Sequence, residues 1–444
     1  MKIRQTLTIM AMVCAVVCAE AQNGFNVPLS QFGIGLSDQP YNNPIVTRMG
    51  GTAYTLTGNN FVNPFNPASY AGIESESFVF DMGLGIQMGT LRHDNDHLWD
   101  ADGNIAYLTV AMPITRWWKL AGGLLPYSSA DYESVAQGSY MDSNVVKTVY
   151  DGTGGVNQVF LGSAFNLIGN GREGRRLQGG FNVNYLVGNV QRAISYSFQG
   201  NDSTYYINVR RYKKTSLSNV LFDLGAQYFE PLGEHYTLGI GVNYKPARQM
   251  HVKDLALKYT YHPSDETLVD TIFPARGEDA EYQSDLLLDH TIGVGVSLEH
   301  NGRWMVAADA TFAGWSGLKY IENSDHPIFG ETALQYGPYS RYALGFERRG
   351  DMDAPRYLGR ISWSLGVHRE LGTMYLTIDD TQRQINEWGA GLGVTLPMRK
   401  GRSLLTISLG YSQLGTRDIL QRNSLTVGIS VSSCERWFFK RKFD

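Results

Sequence analysis

After a short leader, the chain repeats one pattern: stretches of about 9–12 residues in which bulky apolar residues alternate with small or polar ones. The clearest is residues 78–88, FVFDMGLGIQM, whose even positions are Phe, Phe, Met, Leu, Ile and Met. A period of two gives a strand one apolar face and one polar or tightly packed face. Because a closed barrel is the only sheet that can span a bilayer, the pattern favours an all-β, transmembrane antiparallel β-barrel.

Residues 1–21 are typical of a secretory signal peptide. Lys2 and Arg4 precede an apolar run over residues 7–17, and Ala19-Glu20-Ala21 has the small-x-small form of a cleavage site. We expect cleavage after Ala21. The mature chain then keeps one cysteine, Cys434, so it has no internal disulfide although it is exported.

Composition narrows the class of protein. No later segment has 18 or more consecutive apolar residues, which excludes a helical membrane protein after removal of the leader. The 49 glycines and 26 tyrosines suit strands with small inward positions and aromatic girdles, although a large soluble sandwich or propeller would share part of this composition. The formal charge of -4 indicates no nucleic-acid partner.

Alternation predicts about fourteen strands, an even number, as single-chain bacterial barrels require. The predicted strands are 75–90, 103–113, 117–133, 154–167, 177–190, 216–230, 235–252, 284–300, 303–318, 339–350, 359–369, 385–397, 403–415 and 422–438.

The lengths of the connections give independent support. Short turns follow the second, fourth, sixth, eighth and twelfth predicted strands. Longer polar loops mostly follow the odd strands, at 91–102, 134–153, 191–215, 253–283, 319–338 and 370–384. Short periplasmic turns and long extracellular loops are typical of outer-membrane barrels. The sequence therefore predicts a protein of the bacterial outer membrane, monomeric and surrounded by outer-membrane lipid.

The inner wall is predicted to be polar and rich in glycine. Its inward side chains are predicted to include Asp81, Gln87, Asn182, Asn184, Asp223, Gln227, Asn243, Asp309, Glu347 and His368. Glycine allows another backbone to approach closely, so many inward glycines imply that something fills the bore. Residues 22–74 lack alternation and are rich in Asn, Gly and Pro, which favours a plug in the barrel of residues 75–444. The alternative is a flexible periplasmic tail.

Two motifs in this segment carry a family resemblance. Residues 46–56, VTRMGGTAYTL, are followed by residues 59–70, NNFVNPFNPASY. The pair resembles the N-terminal hatch of FadL-type (OmpP/TodX-like) outer-membrane transporters, in which a Gly-rich stretch leads into Y-N-P-A. Asn66-Pro67-Ala68 matches directly, whereas Asn63-Pro64 is an additional Asn-Pro pair and Ser69-Tyr70 replaces the usual Gly-Leu or Gly-Met. The resemblance implies a fourteen-stranded barrel with a luminal hatch that admits long-chain fatty acids or other hydrophobic compounds by passive uptake.

The same segment supplies the predicted ligand-binding and gate residues. Phe61, Phe65 and Tyr70 are candidates for an apolar gate, and Arg48 for contact with a ligand carboxylate. The Asn66-Pro67-Ala68 motif is expected to shape the turn, because Asn-Pro pairs favour tight turns. An ordinary pair of turns without any gate is the alternative.

No catalytic constellation, metal site or cofactor motif stands out, and we expect the protein not to be an enzyme. The acidic and histidine-rich stretch 93–103 lacks a full calcium-loop pattern, and a solvated charge cluster is the simpler interpretation. Three functions remain open: a transporter of hydrophobic small molecules, a non-transporting partner of a secretion or surface-assembly complex that binds protein through its extracellular loops, and an open diffusion porin.

Overall fold

The computed structural model describes most of the barrel and part of the N-terminal region. The described residues are 28–31, 33–36, 43–58, 60–93, 96–140, 144–169, 174–199, 207–262, 267–274, 280–314, 320–321, 334–335, 337–378, 381–398, 402–417 and 419–436. The predicted signal peptide, 1–21, and the aromatic C-terminal residues after 436 lie outside them.

The described strands form one antiparallel sheet. They are β1 (Ser77–His93), β2 (Asp96–Pro113), β3 (Trp118–Ser129), β4 (Tyr132–Tyr140), β5 (Asn144–Ile168), β6 (Arg176–Gln199), β7 (Asn208–Leu232), β8 (Tyr236–Lys245), β9 (Arg248–Tyr261), β10 (Leu268–Phe273), β11 (Glu281–Leu288), β12 (Thr291–His300), β13 (Trp304–Ala313), β14 (Tyr320–Ile321), β15 (Leu334–Gln335), β16 (Tyr339–Arg348), β17 (Ser362–Ile378), β18 (Thr381–Met398), β19 (Ser403–Thr416) and β20 (Leu420–Arg436).

The sheet closes on itself. β1 pairs along its length with β20, from Ser77 opposite Arg436 to Arg92 opposite Gln421. The result is a closed barrel of fourteen strands, which confirms the predicted fold and strand number. The other six strands, β4, β9, β10, β11, β14 and β15, extend the wall on the side of the long connections.

Among the described residues, helical structure is limited to four short segments. They are Pro28–Gln31, Pro44–Thr47, Pro67–Gly72 and Tyr357–Arg360. None of the described helices is long and apolar enough to cross a membrane.

The prediction of long loops is largely wrong, because most of these residues lie in strands. Most of 134–153 belongs to the β4–β5 hairpin, most of 191–215 to β6 and β7, and 370–384 to β17 and β18. β5 and β7 each have 25 residues, whereas a tilted strand needs only about 9–11 to cross the bilayer. Above the lipid both faces of a strand can be polar, so the apolar alternation that marks a strand disappears there.

The two faces of the wall are as the alternation predicts. On β1, Leu84 and Ile86 are 42% and 48% exposed, whereas Asp81 between β2 and β20 is fully buried. All the predicted inward polar residues are buried except Gln87, which is partly exposed. The apolar outer surface therefore faces lipid and the polar inner surface faces whatever occupies the lumen.

Candidate functional site

The luminal segment, residues 43–58 and 60–76, is built from asparagine-capped turns. Asn43 caps the turn Pro44–Thr47, and its Oδ1 accepts a hydrogen bond from the Ile45 amide at 3.0 Å. Asn66 caps the turn Pro67–Gly72 in the same way, accepting from the Ala68 amide at 3.2 Å. In both cases proline occupies the first helical position, where its missing N–H costs nothing.

The second and third Asn-Pro pairs, Asn63-Pro64 and Asn66-Pro67, also tie this segment together. The amide of Asn63 donates to the carbonyls of Ala53 and Leu56 at 2.7 and 3.0 Å. The amide of Asn66 donates to the carbonyl of Tyr54 at 2.7 Å. Two turns separated by ten residues are thereby held back to back, so the additional Asn63-Pro64 pair has a structural role of its own.

Glycines of the wall make room for the backbone of the luminal segment. A Cβ on Gly345 of β16 would lie 2.6 Å from the Met49 carbonyl, and a Cβ on Gly366 of β17 would overlap the Met49 backbone. Gly50 itself has a φ of 64°, which favours glycine. The close approach predicted from the inward glycines is confirmed at these positions.

Charged residues join the segment to β16 and β17. Arg48 forms a buried ion pair with Glu347 and donates to Ser364 Oγ at 3.3 Å. Glu347 also accepts from Arg349 Nε at 3.1 Å, and Arg349 pairs with Glu299 at 2.7 Å. On the opposite face of this turn, Arg341 donates to the Gly51 carbonyl.

Two buried carboxylates of the wall bind backbone amides of the segment. Asp309 Oδ2 on β13 accepts from the amides of Ala53 and Tyr54 at 2.6 and 2.9 Å. Asp81 on β1 accepts from the Val62 amide at 3.4 Å. An intramolecular hydrogen bond contributes about 0.5–1.5 kcal/mol net, and the long Asp81 contact should contribute less than the two Asp309 contacts. Together these contacts hold the segment against the wall.

Two tyrosines complete the attachment. The hydroxyl of Tyr54 lies 2.7 Å from Thr311 Oγ1, and that of Tyr70 donates to Asn182 Oδ1 at 3.1 Å. Burial raises the pKa of both tyrosines above the usual 10.0, so both hydroxyls stay protonated as hydrogen-bonding groups at neutral pH.

Two cavities lie on opposite sides of the luminal segment. The upper cavity, of about 260 Å³, is bounded below by Tyr54 and Phe65 and reaches Met374 in the upper half of β17. The lower cavity, of about 300 Å³, contains Phe61 and Arg48 and reaches the periplasmic ends of the strands. The segment thus separates two chambers of one lumen.

The upper cavity has an apolar lining with a row of amides. Its apolar side chains include Ile34, Leu36, Phe65, Tyr127, Leu221, Phe222, Leu286, Leu288 and Met374, and its charged residues are Asp223, Lys245, Asp289, Arg341 and Glu370. On the wall, Gln158 donates to Asn184 at 2.8 Å, and Asn184 donates to Asp223 at 2.9 Å. An apolar chamber with a few placed polar groups is the usual form of a small-molecule site.

A second N-terminal piece, the strap (Gly33–Leu36), lies beside this cavity. β2 pairs with β3 only from Leu108 opposite Leu124 to Pro113 opposite Lys119. Beyond that point Leu36 exchanges two backbone hydrogen bonds with Ser129 of β3, at 2.8 and 3.0 Å. At Ser129 the strap therefore pairs with the edge of β3 that β2 occupies lower down.

The predicted site residues lie close together in the luminal segment, but on different faces of it. Asn66, Pro67, Ala68 and Tyr70 are buried against β5, β6 and β7, whereas Phe61 and Phe65 face the lower and upper cavities. Arg48 binds a carboxylate of the wall, and its predicted contact with a ligand carboxylate stays a prediction.

Sequence reasoning missed Tyr54 and the strap. Tyr54 lies beside the Gly-rich motif, and its position opposite the inward glycines of β8 and β12 was the available signal. The strap has no sequence pattern that marks it. Among the residues that the structure describes, no group of three or more His, Cys, Asp or Glu side chains could hold a metal ion.

The sequence matches the BamG family over residues 2–444. The chain belongs to the BamG family. No curated protein matches the sequence.

Solved structures similar to this BamG-family protein are FadL-type barrels. The monoaromatic hydrocarbon channel CymD is 13% identical with a TM-score of 0.53, and 91% of this chain and 99% of CymD are covered. A FadL homologue of Pseudomonas aeruginosa has the same identity and TM-score over 89% and 98%. The toluene transporter TodX of P. putida is 13% identical with a TM-score of 0.51 over 93% and 100%. The predicted FadL-type fold of a bacterial outer-membrane barrel is confirmed.

Proposed function

We propose that this BamG-family protein is an outer-membrane channel for passive uptake of hydrophobic small molecules. The proposal rests on the upper cavity, a partly open and mainly apolar chamber bordered by the wall, the strap and the luminal segment. The similar barrels CymD and TodX are described as a monoaromatic hydrocarbon channel and a toluene transporter, which supports the same class of cargo.

The volume of the upper cavity limits the size of the ligand. At about 260 Å³ it is slightly smaller than most ligand pockets, which span about 300–1,000 Å³. This supports a small aromatic or short aliphatic compound as the preferred cargo. A long-chain fatty acid, the other class in the FadL resemblance, would have to displace the strap.

In the proposed route, cargo collects in the upper cavity and passes the luminal segment when that segment rearranges. Phe65 and Phe61, on its two faces, act as the apolar gate, and the Asn66 turn fixes their spacing. For the segment to move, its contacts with Asp309, Asp81 and Glu347 must break.

Uptake of radiolabelled toluene by cells and by proteoliposomes tests this proposal. Leu221→Arg places a charge in the upper cavity and should abolish saturable uptake, whereas Asn157→Arg on the outer face of β5 should not. Replacement of Asn66-Pro67 by Ala-Ala should change the uptake rate. Unchanged uptake in both the cavity variant and the turn variant would overturn the channel and its gate.

One observation favours the alternative of a non-transporting assembly partner. β5, β6 and β7 extend far above the bilayer and carry exposed apolar residues such as Val145, 41% exposed. Purification in mild detergent separates the two functions: a stoichiometric protein partner and an empty lumen would favour assembly, and a bound apolar molecule would favour transport.

A further inference from the structure

Asp223 of β7 is a buried carboxylate at the floor of the upper cavity. Its position follows from Gly225, the next residue on the same face of β7, whose Cβ would overlap the Asn66 side chain of the luminal segment. Asp223 is the inward side chain directly above that contact, and it is 4% exposed. Burial is the main cause that raises the pKa of Tyr54 and Tyr70 in the same segment, and the negative charge of Asp223 acts in the same direction on both. The carboxylate therefore faces the lumen.

The Asp223 carboxylate has one hydrogen-bond partner. Its Oδ2 accepts from Asn184 at 2.9 Å, and Asn184 in turn accepts from Gln158 at 2.8 Å. Among the residues that the structure describes, nothing donates to Oδ1 and no cation forms an ion pair with Asp223. A carboxylate can accept about four hydrogen bonds, so this buried group keeps acceptor capacity. Buried acceptors without donors are costly, which favours a ligand that brings a donor.

Attachment of the luminal segment does not explain Asp223. Asp309 and Asp81 each accept hydrogen bonds from backbone amides of that segment, and Glu347 pairs with its Arg48. Asp223 lies equally close to the segment but accepts no hydrogen bond from it within the described part of the chain. Its free acceptor is therefore available to a molecule in the upper cavity.

The nearest cation on the neighbouring strand favours a neutral ligand. The β7–β8 ladder ends with Leu224 opposite Tyr244, so Lys245 is the next residue beside Asp223. Lys245 is half-buried and borders the same cavity, but it forms no ion pair with Asp223. An ammonium group would be attracted by Asp223 and repelled by Lys245, and a carboxylate group would meet the reverse. Neither charged group would recover the cost of its burial, whereas a neutral hydroxyl avoids that cost and can still donate.

The other charged residues of the cavity already have partners. Arg341 donates to the Gly51 carbonyl and lies 3.7 Å from Glu370. Asp289 is half-buried, and its Oδ1 accepts from the His290 amide at 2.7 Å. The acceptor that the cavity offers to a ligand is thus the one at Asp223.

We propose that the upper cavity selects small apolar molecules that carry one neutral hydroxyl, such as phenols, and that this hydroxyl donates to Asp223 Oδ1. The apolar body of the ligand would lie among the side chains of Phe65 and Leu221, which border the same cavity. A hydrocarbon would leave the carboxylate unsatisfied, and sites built to bind a hydroxyl discriminate against analogues that lack it. The inference rests on the proposed function and names the chemical class that the channel prefers.

Isothermal titration calorimetry of the purified protein in nanodiscs tests the selectivity. The ligands are toluene and p-cresol, which differ by one hydroxyl, and empty nanodiscs are the blank. We expect p-cresol to bind about ten-fold more tightly than toluene, as a hydrogen bond to a carboxylate allows. Asp223→Leu should reverse that order, because the hydroxyl then has no acceptor in an apolar chamber. Asp223→Asn, which keeps the shape of the side chain, should reduce the preference.

Two controls separate this site from a general effect of charge. Asp285→Leu removes a carboxylate that pairs with the exposed His251 on the outer face of β11, and it should leave the preference unchanged. Benzylamine and benzoate should bind more weakly than p-cresol, and Lys245→Met should strengthen the binding of benzylamine alone. Heat-modifiable migration checks that each variant is folded.

A p-cresol preference that survives in Asp223→Leu, or that is lost equally in Asp285→Leu, would overturn the selectivity. If toluene and p-cresol bind equally and proteoliposomes take up both faster than protein-free vesicles do, the selectivity is wrong and the proposed channel stands. If p-cresol binds with the expected preference but uptake does not exceed that of protein-free vesicles, the Asp223 site stands and the channel is wrong.

Discussion

Arg48 of the luminal segment and Glu347 of β16 form a buried ion pair that joins the N-terminal region to the barrel wall. Their side chains are 7% and 8% exposed. Glu347 is shared with Arg349, which in turn binds Glu299, so the positive charge of Arg48 is one end of a row of alternating charges. The segment is therefore held by an ion pair. Removing only one partner of this pair is costly, because it leaves the other charge buried with fewer partners.

Removing Arg48 should loosen the segment without unfolding the barrel. Leaving a buried carboxylate without any partner costs about 3–5 kcal/mol, and because Glu347 keeps Arg349 the loss of Arg48 should cost less than this. Replacing both partners of a buried pair by apolar residues is often close to neutral. We expect Arg48→Met to make the segment sensitive to added protease, and Arg48→Met with Glu347→Met to restore most of the resistance. Equal sensitivity of the single and double variants would show that the pair does not hold the segment.

The carboxylate of Asp309 should protect two specific amides. Asp309→Ala removes the acceptor for the amides of Ala53 and Tyr54, at about 0.5–1.5 kcal/mol for each hydrogen bond. Hydrogen exchange should accelerate at residues 53–54 and stay unchanged at Val62, which binds Asp81. The Asp81→Ala variant should show the reverse pattern. Uniform acceleration along the segment in either variant would contradict separate attachment points.

A methyl group on the inner wall should displace the segment. Gly366→Ala would place its Cβ against the Met49 backbone, and overpacking of this kind costs about 1–3 kcal/mol. We expect a lower thermal unfolding midpoint and faster proteolysis of the segment. Gly103→Ala on β2 is the matched control, since its Cβ would meet the nearest atoms at 3.9 Å. Similar midpoints for the two variants would argue against tight contact between wall and segment.

Alkaline pH should weaken the segment through its tyrosines. Because burial raises the pKa of Tyr70 above 10.0, the contribution of Tyr70 is fully present below pH 10 and falls as the pH rises further. Each pH unit above 10 costs up to about 1.4 kcal/mol for one tyrosine. Resistance of the segment to protease should therefore fall above pH 10, and less steeply in Tyr70→Phe. Identical profiles for Tyr70→Phe and the unaltered protein would exclude this contribution.

The membrane part of the fold was predictable from alternation because lipid imposes a period of two on every strand that crosses it. β1 and β19 begin and end within a few residues of the predicted bounds. The extensions of β5 and β7 were not predictable, since above the lipid no apolar face is required. The Asn-Pro motifs identified the luminal segment, whose partners Asp309 and Glu347 were predicted only as inward residues. The pairing of Leu36 with Ser129 depends on strand register, which alternation does not specify.

Native mass spectrometry of the protein purified in mild detergent would show whether the barrel holds cargo. We expect one small apolar molecule per barrel after incubation with toluene or decane, and loss of that adduct in Leu221→Arg but not in Asn157→Arg. A barrel that never carries such a molecule, and that instead leaves the membrane with a stoichiometric protein partner, would show that it is an assembly partner and not a channel.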